Sequence, residues 1–246
     1  MSARIELHNI DCMEFISKLE NNSFDLILTD PPYLFNKSPG KPYADRKQCK
    51  TKSEFANSNL YSYEGDVMRK MSSFTEIDLI KFLNETLRLM KHYNAYYFCS
   101  EAQIPFYFNW ANKNNLMVSV LIWEKPLSII NKNRYSQNIE FIIRVYNYGT
   151  ALKKINENKC YNRVKKYNSP NNKIHPTQKP TALIGEILKV TSPQKIFDPF
   201  AGSGAIGLAS DILGFNYVGC ELDTDYFEAA QKRLQQHQSQ LRIPMQ

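Results

Sequence analysis

Long apolar runs and paired cysteines are missing from this sequence, and each of these absences excludes a class of protein. Hydrophobic residues make up 43% of the 246 residues, but their runs are far shorter than the roughly 20 residues of a membrane-spanning helix. The five cysteines are scattered without a C-x-x-C pair, so neither a disulfide framework nor a zinc ribbon is predicted. The polar N-terminus lacks the signal-peptide pattern. We therefore expect a cytoplasmic protein with reduced thiols, no metal site and no membrane partner.

Positive charge is concentrated in one part of the chain. The formal net charge is +7, yet residues 125–179 hold twelve Lys and Arg against two Glu, a net of +10. A basic run can be no more than a solvated face. Here five tyrosines interleave with the cations, which suits phosphate contact and base stacking better. The segment predicts a polyanionic partner, with these candidate phosphate contacts: Lys153, Lys154, Lys165 and Lys166.

Short apolar runs that end in acids or small residues alternate with helical patterns. This alternation predicts an α/β fold with a Rossmann-like, mainly parallel twisted sheet and helices on both faces. The predicted strands are Ile5 to His8, Phe24 to Thr29, Ala95 to Cys99, Val118 to Trp123, Ile139 to Val145, Lys195 to Phe197 and Tyr217 to Cys220. The predicted helices are Met13 to Leu19, Phe74 to Lys91, Ala102 to Lys113, Thr181 to Val190, Ala205 to Leu213 and Tyr226 to His237.

The chain is long enough for one α/β domain and short for two. We therefore predict a single domain over 1–246. Two polar stretches without periodicity interrupt the alternation, an inserted loop at 34–72 and a basic variable segment at 146–174. Loops this long in a compact domain are usually functional or disordered. The second stretch is the candidate target-recognition region.

The first chemical motif is a buried strand that stops at Asp30, Pro31, Pro32 and Tyr33. Two prolines fix two φ angles and remove two N–H donors, so carbonyls and the Asp30 carboxylate face one space without competing donors. The result is an acceptor-only pocket with an aromatic ring beside it. A strand that ends in a stiff turn is the plainer interpretation.

The second motif is a strand, a glycine turn, a helix and a second strand that ends in Glu221. Such an arrangement forms a nucleoside site at the carboxyl edge of a sheet. Gly202, Gly204 and Gly207 also satisfy G-x-G-x-x-G, so a dinucleotide-binding dehydrogenase is an alternative. Asp198 just before the turn would repel a pyrophosphate but suits the ammonium of a methionine moiety, and Glu221 can accept from ribose hydroxyls.

Together these motifs resemble those of the β class of DNA amino-methyltransferases, over nearly the whole chain. The run from Asp30 to Tyr33 resembles the D-P-P-Y catalytic motif, and the run from Asp198 to Gly204 resembles the F-x-G-x-G cofactor motif. Residues 175–180 resemble an H-P-T-Q-K-P block. The catalytic motif precedes the cofactor motif, which is the permuted order of that class.

The resemblance implies a role for each matching residue. The methionine part of S-adenosylmethionine is assigned to Asp198, Phe200, Ala201, Gly202, Ser203 and Gly204, with Thr177, Gln178 and Lys179 near its carboxylate. The cofactor adenine is assigned to the segment that contains Asp11 and Cys12. The cofactor site is completed by Asp30, Glu221 and Leu222. The target-base pocket is assigned to Arg134 and Tyr135.

The resemblance implies site-specific methylation of the adenine N6 amino group in duplex DNA, by base flipping and direct in-line transfer. Acceptors from Asp30 and the Pro31 carbonyl would localise the amine lone pair and stabilise its developing positive charge. Methylation at cytosine C5 needs a Pro-Cys pair, and no cysteine here follows a proline.

Several alternatives remain at this level. N4 of cytosine presents the same amino geometry, RNA or protein-amide methylation is less well supported, and a catalytically silent DNA-binding module is a third class. A homodimer and a place in a restriction-modification system are further implications of the resemblance.

Overall fold

The computed structural model describes residues 3–33, 76–126, 135–136, 138–170 and 178–241. The predicted loop at 34–72 and residues 171–174 of the basic segment lie outside these ranges. Within them, no helix combines the length and apolar character needed to cross a bilayer.

Eight strands form one sheet in the order β1-β8-β7-β2-β3-β5-β4-β6. Their bounds are β1 Ile5–Asn9, β2 Leu26–Thr29, β3 Asn94–Cys99, β4 Met117–Glu124, β5 Ile139–Tyr146, β6 Val164–Lys166, β7 Lys195–Asp198 and β8 Asn216–Glu221. Strand β5 pairs antiparallel with both of its neighbours, and every other pairing is parallel. The expected mainly parallel sheet is confirmed.

The described α-helices are α1 Cys12–Ser17, α2 Glu76–Leu87, α3 Ile104–Lys113, α4 Thr181–Thr191, α5 Ala205–Leu213 and α6 Thr224–Leu241. Strand residues alternate between two helical layers. Ile27 and Tyr97 face a core that includes side chains of α1, α2 and α3. Leu28 and Phe98 face a second core built with α4 and α5. Helices on both faces are therefore also confirmed.

Each predicted strand and helix has a counterpart, with bounds that shift by a few residues. Strand β6 has no counterpart among the predictions. It is three residues long, and only its middle residue, Lys165, is buried. A strand this short, with two lysines, carries no apolar alternation that a sequence pattern could reveal.

The carboxyl ends of the parallel strands lie along one edge of the sheet, and β5 begins at this edge because it runs the opposite way. Strands β7 and β2 are neighbours, but the chain continues from them in opposite directions across the sheet. The strand after β7 is β8, on one side, and the strand after β2 is β3, on the other. This is the topological switch point, where open α/β sheets bind ligands. The segments after β1, β2, β7 and β8 form the site described next.

Candidate active site

A cavity of about 510 Å³ opens at this edge of the sheet, within the range usual for small-molecule sites. Most of the predicted site residues line it, namely Asp11, Cys12, Asp30, Pro31, Pro32, Tyr33, Gln178, Lys179, Phe200, Ala201, Gly202, Ser203, Glu221 and Leu222. The structure therefore brings together segments that are far apart in the chain. Thr177 lies outside the described residues.

The glycine turn and the end of β8 hold each other in place. Glu221 accepts a hydrogen bond from the Gly202 backbone N–H over 2.8 Å and another from the Asp223 N–H over 2.9 Å. Gly202 has φ +50°, a conformation that favours glycine. Burial raises the pKa of Glu221. A carboxylate is thereby fixed at the rim of the cavity, where it can accept from hydroxyl groups.

Asp198 has different surroundings from those that the sequence suggested. Its side chain is fully buried, Thr29 Oγ1 donates to Oδ1 over 2.7 Å, and the Tyr217 hydroxyl donates to Oδ2 over 3.0 Å. Burial raises the pKa of Asp198 to about 7. The carboxylate has no exposed surface and joins the ends of β7 and β2 at the switch point. Its contact with the cofactor ammonium stays a prediction.

The remaining glycines of the G-x-G-x-x-G pattern serve packing. A Cβ on Gly204 would lie 3.1 Å from the Ala230 Cβ, and one on Gly207 would lie 2.9 Å from the Tyr217 ring. Gly204 precedes α5 with φ +68°, between Ser203 and Ala205, which line the cavity, and its role with the cofactor stays a prediction. Gly207 makes room for the tyrosine that holds Asp198. The third glycine is therefore explained without a dinucleotide.

Asp11 caps α1 and lines the cavity at once. The Met13 and Glu14 backbone N–H groups donate to its Oδ1 over 2.9 and 3.1 Å, which leaves Oδ2 for a ligand. Cys12 is buried beside it, and burial raises the pKa of its thiol to about 12. The thiol is therefore protonated near neutral pH and contributes only packing surface.

Asp30 and Tyr33 belong to a network of charges that the sequence did not predict. Asp30 Oδ2 forms an ion pair with Lys179, whose ammonium lies 3.2 Å from Glu140 Oε2. Glu140 also pairs with Lys125 and accepts from the Tyr33 hydroxyl over 3.1 Å. Asp30, Lys179, Glu140 and Lys125 therefore form a connected series of alternating carboxylate and ammonium groups that begins at the cavity wall.

Burial and ion pairing compete in this network. Burial raises the pKa of Asp30, and the Lys179 charge opposes that shift only in part. Burial also acts to raise the pKa of Glu140, but Lys179 and Lys125 outweigh it and hold the value below its usual range. The two acceptors on Lys179 likewise outweigh its burial and raise its pKa. Lys179 therefore stays charged and bound to protein carboxylates, and because it also lines the cavity, its place near the cofactor carboxylate stays a prediction.

Gln103 is a second site residue that sequence reasoning missed. It is fully buried, its Nε2 donates to the Pro32 carbonyl over 3.0 Å, and its Oε1 accepts from the Ser100 backbone N–H over 3.0 Å. A buried amide that ends the segment after β3 thus fixes the turn that carries Asp30. The capping-box spacing of Ser100 and Gln103 was the only available signal.

Arg233 of α6 ties two further parts of the site together. Its Nη1 donates to the Ser203 carbonyl over 3.0 Å, and its Nη2 donates to Thr181 Oγ1 over 3.4 Å. The glycine turn and the start of α4, which follows Lys179 and Pro180 in the chain, are therefore held by one guanidinium group.

The basic segment is not one continuous surface beside the cavity. Lys165 is 2% exposed and forms an ion pair of 2.9 Å with Glu186, so its predicted contact with DNA phosphate is wrong. The Lys153 backbone N–H donates to the carbonyl of Val190, near the end of α4. That end lies at the edge of the sheet opposite the cavity, because β5 runs away from the site and the chain reaches Lys153 soon after it.

Two of the predicted DNA contacts, Lys166 and Tyr135, lie at the edge of the sheet that holds the cavity. Lys166 ends β6, which runs parallel to β4, and its side chain is 73% exposed beside Glu124. Tyr135 is 99% exposed. Arg134 lies outside the described residues, and Lys154 follows Lys153 at the far edge.

Comparison with known proteins agrees with this geometry. The family model described as DNA methylase matches residues 24–232. Among curated relatives, the type II methyltransferase M2.MboI of Moraxella bovis is 28% identical over 91% of this chain and 85% of its own length. M.HinfI of Haemophilus influenzae is 26% identical over 92% of this chain and 67% of its own length.

Solved structures share the fold. M1.HpyAVI in complex with SAM superposes with a TM-score of 0.67 at 24% identity, over 94% of this chain and all of the other. The cytosine-N4-specific PvuII DNA methyltransferase also gives 0.67, at 12% identity over 94% of this chain and 87% of the other. The fold is therefore that of the S-adenosylmethionine-dependent methyltransferases, and the chain belongs to the N6/N4 DNA methylase family.

Proposed function

We propose that this protein transfers a methyl group from S-adenosylmethionine to the N6 amino group of adenine in duplex DNA. One observation carries the proposal. Asp30 Oδ1 is buried at the wall of the cavity and, among the residues that the structure describes, has no hydrogen-bond partner. A buried acceptor without a partner costs free energy unless a ligand satisfies it. An amino group of the substrate would do so.

The charges around the cavity fit the cofactor. Its lining carboxyl and ammonium groups are Asp11, Asp30, Asp78, Glu221, Asp223, Lys81 and Lys179. Carboxylates thus exceed ammonium groups by three. S-adenosylmethionine has a net positive charge because it carries an ammonium, a sulfonium and one carboxylate. A dinucleotide would instead bring a doubly negative pyrophosphate into this acidic space, which disfavours the dehydrogenase alternative.

Particular residues would hold the parts of the cofactor. Glu221 would accept from the ribose hydroxyls, and Asp11 Oδ2 would accept from the adenine amino group. Gly202 and Ser203 line the cavity together with Phe200, whose ring packs edge-on against Phe82 with centroids 5.2 Å apart, and these three residues would hold the methionine part. When bound, the cofactor supplies a methyl group activated by the sulfonium.

Asp30 and its neighbours act on the target amine. The lone pair of an exocyclic amine is delocalised into the base, so the nitrogen is a weak nucleophile. Hydrogen bonds from the amine to Asp30 Oδ1 and the Pro31 carbonyl would localise that pair and stabilise the positive charge that grows on nitrogen. Tyr33 would stack on the extruded base, since the amino group is unreachable inside a duplex.

The choice of adenine rests on residue 30. The fold does not separate the two amino substrates, because the cytosine-N4-specific PvuII enzyme shares it. An acid rather than a serine before Pro31 and Pro32 favours adenine. N4 of cytosine is the second candidate, because its amino group presents the same hydrogens to Asp30.

The wider setting of the reaction follows from the relatives. The M.HinfI and M2.MboI names denote type II methyltransferases, and we propose that this chain likewise belongs to a restriction-modification system in the cytoplasm. We also propose a homodimer, as the resemblance implies. Analytical ultracentrifugation of the purified protein would test the dimer, and a single monomeric species at assay concentrations would contradict it.

Labelled methyl transfer tests the reaction itself. Unmethylated genomic DNA would be incubated with the protein and S-adenosylmethionine that carries a labelled methyl group, digested to nucleosides and separated by chromatography. We expect the label in N6-methyladenine, and at least about a hundredfold less of it at early time points with an Asp30→Ala variant. Label in N4-methylcytosine would establish the second candidate, and no label in any base would contradict both.

A further inference from the structure

Glu140 is a charged residue on β5 that has no part in the function proposed above. Its side chain is 17% exposed and does not line the cavity. It nevertheless contacts three groups of the network, Lys179 at 3.2 Å, Lys125 in an ion pair, and the Tyr33 hydroxyl at 3.1 Å. A carboxylate with three polar contacts in this position does more than fill space between β5 and its neighbours.

Lys179 forms ion pairs with two carboxylates, those of Asp30 and Glu140. Lys179 is 4% exposed, and its ammonium bonds Asp30 on one side and Glu140 on the other. With Asp30 alone as partner, the ammonium would neutralise the acceptor on which methyl transfer depends. With Glu140 as a second partner, Asp30 keeps more of its negative charge for the target amine, because Coulomb interactions are strong among buried groups.

We propose that Glu140 is a positioning residue for methyl transfer, which holds Lys179 against Asp30 Oδ2 while it offsets the Lys179 charge and leaves Oδ1 as the acceptor for the target amine. This inference rests on the proposed function. Lys125 limits the effect of Glu140 on Lys179, because its positive charge offsets part of the negative charge of Glu140.

The pH dependence of the reaction would report this role. The charged and titratable groups around Asp30 are Lys179, Glu140, Tyr33, Cys99, Tyr107 and Asp198, with Lys125 beyond Glu140. Glu140 raises the pKa of Asp30 by like-charge repulsion. Its removal should therefore lower that pKa and move the acid limb of the rate profile to lower pH.

The main experiment is single-turnover methyl transfer at saturating cofactor and DNA, measured across the acidic and neutral range. For Glu140→Gln we expect the acid limb at lower pH and a plateau rate lower by on the order of tenfold, because an excess positive charge now opposes the charge that develops on the amine. Cofactor affinity should stay near that of wild type, because Glu140 does not line the cavity.

Two further variants complete the test. Lys125→Gln should move the acid limb in the opposite direction, to higher pH. Without the Lys125 charge, the Glu140 carboxylate repels the Asp30 carboxylate more strongly and raises the pKa of Asp30 further. Glu157→Gln is the matched control, since Glu157 is also ion-paired, at 2.7 Å from Lys189, on the exposed surface of the basic segment. It should keep the wild-type profile.

The outcomes separate the inference from the function on which it depends. A wild-type protein that methylates no base would defeat the proposed function. A wild-type protein that methylates adenine, with a Glu140→Gln variant that keeps the wild-type acid limb or only loses rate, would defeat this inference alone. If Glu140→Gln does not fold, an unmoved acid limb in Lys125→Gln overturns the inference equally.

Discussion

The side-chain amide of Gln103 donates a hydrogen bond of 3.0 Å to the Pro32 carbonyl, across 71 residues of sequence. Because both prolines lack an N–H, the turn that follows Asp30 has few ways to bond itself to the sheet. Gln103 supplies that attachment from the segment after β3. The position of the Asp30 carboxylate therefore depends on a residue that is remote in the chain and does not line the cavity.

Replacing Gln103 by Glu should slow methyl transfer with little effect on cofactor affinity. The shape and the acceptor towards Ser100 are kept, but the donor to Pro32 is lost, and an unsatisfied buried carbonyl costs roughly 1 to 3 kcal/mol. If the turn shifts to recover this energy, the rate should fall by about ten- to a hundredfold. Single-turnover rates and calorimetric cofactor binding would check this. An unchanged rate would show that the turn holds its position without Gln103.

Two substitutions at Asp30 should separate charge from hydrogen bonding. Asp30→Ala removes the acceptor and should lower methyl transfer by roughly 10² to 10⁴-fold. Asp30→Asn keeps one acceptor oxygen and should lose about five- to thirtyfold, because a charge-assisted bond is about twice as strong as a neutral one. Lys179 keeps Glu140 as a partner in both variants, so the fold should survive. Parallel loss of cofactor binding and rate would refute the assignment to the target amine.

The free energy of unfolding should show a titration that belongs to Asp198. Folding raises its pKa from 3.8 to about 7. An acid shifted upwards contributes stability below its unfolded pKa, and this contribution is lost as the pH rises through the folded value. Wild type should thus lose up to about 4 kcal/mol between about pH 4 and pH 7 from this group, and Asp198→Asn should lack that loss. Urea unfolding at several pH values measures it, and parallel curves for the two proteins would contradict the prediction.

Lys165 should matter for stability and not for DNA. Its ammonium donates to Glu186 over 2.9 Å and to the Cys160 carbonyl over 2.8 Å, in a site that is almost closed to solvent. Lys165→Met leaves the Glu186 charge buried without its partner, which costs about 3 to 5 kcal/mol. Thermal unfolding should therefore begin at a clearly lower temperature. A variant with wild-type stability and weaker DNA binding would contradict this prediction and would indicate that Lys165 contacts DNA phosphate.

The salt dependence of DNA binding should distinguish the two ends of the basic segment. Lys166→Gln at the cavity edge should reduce the log-log slope by about 0.9 if the residue contacts one phosphate. A double Lys153→Gln and Lys154→Gln variant removes two charges at the opposite edge and should keep the wild-type slope. Titrations of a labelled duplex at several salt concentrations would decide between them. A larger change in the double variant would place the DNA on the other side of the sheet.

The sheet, its helices and the order of the two motifs were accessible from the sequence. Apolar runs and helical periodicity depend on neighbours within one element, so a strand such as Ile139–Tyr146 can be recognised without its partners. The acid after β2 and the glycine turn after β7 could likewise be placed at one edge, because carboxyl ends of parallel strands share it. The cavity between them followed from that rule.

Only the tertiary structure decided which charges meet. Lys179 and Asp30 are 149 residues apart, and Lys179 lies next to Glu140 because β5 enters the sheet antiparallel beside β3. The same sequence pattern would allow Lys179 to bind a ligand and would allow Asp198 to face one. Burial and ion pairing depend on elements that are remote in the chain, and local periodicity carries no information about them. The motifs therefore determined where the site would form, and the packing of the sheet determined which of its charged groups remain for a substrate.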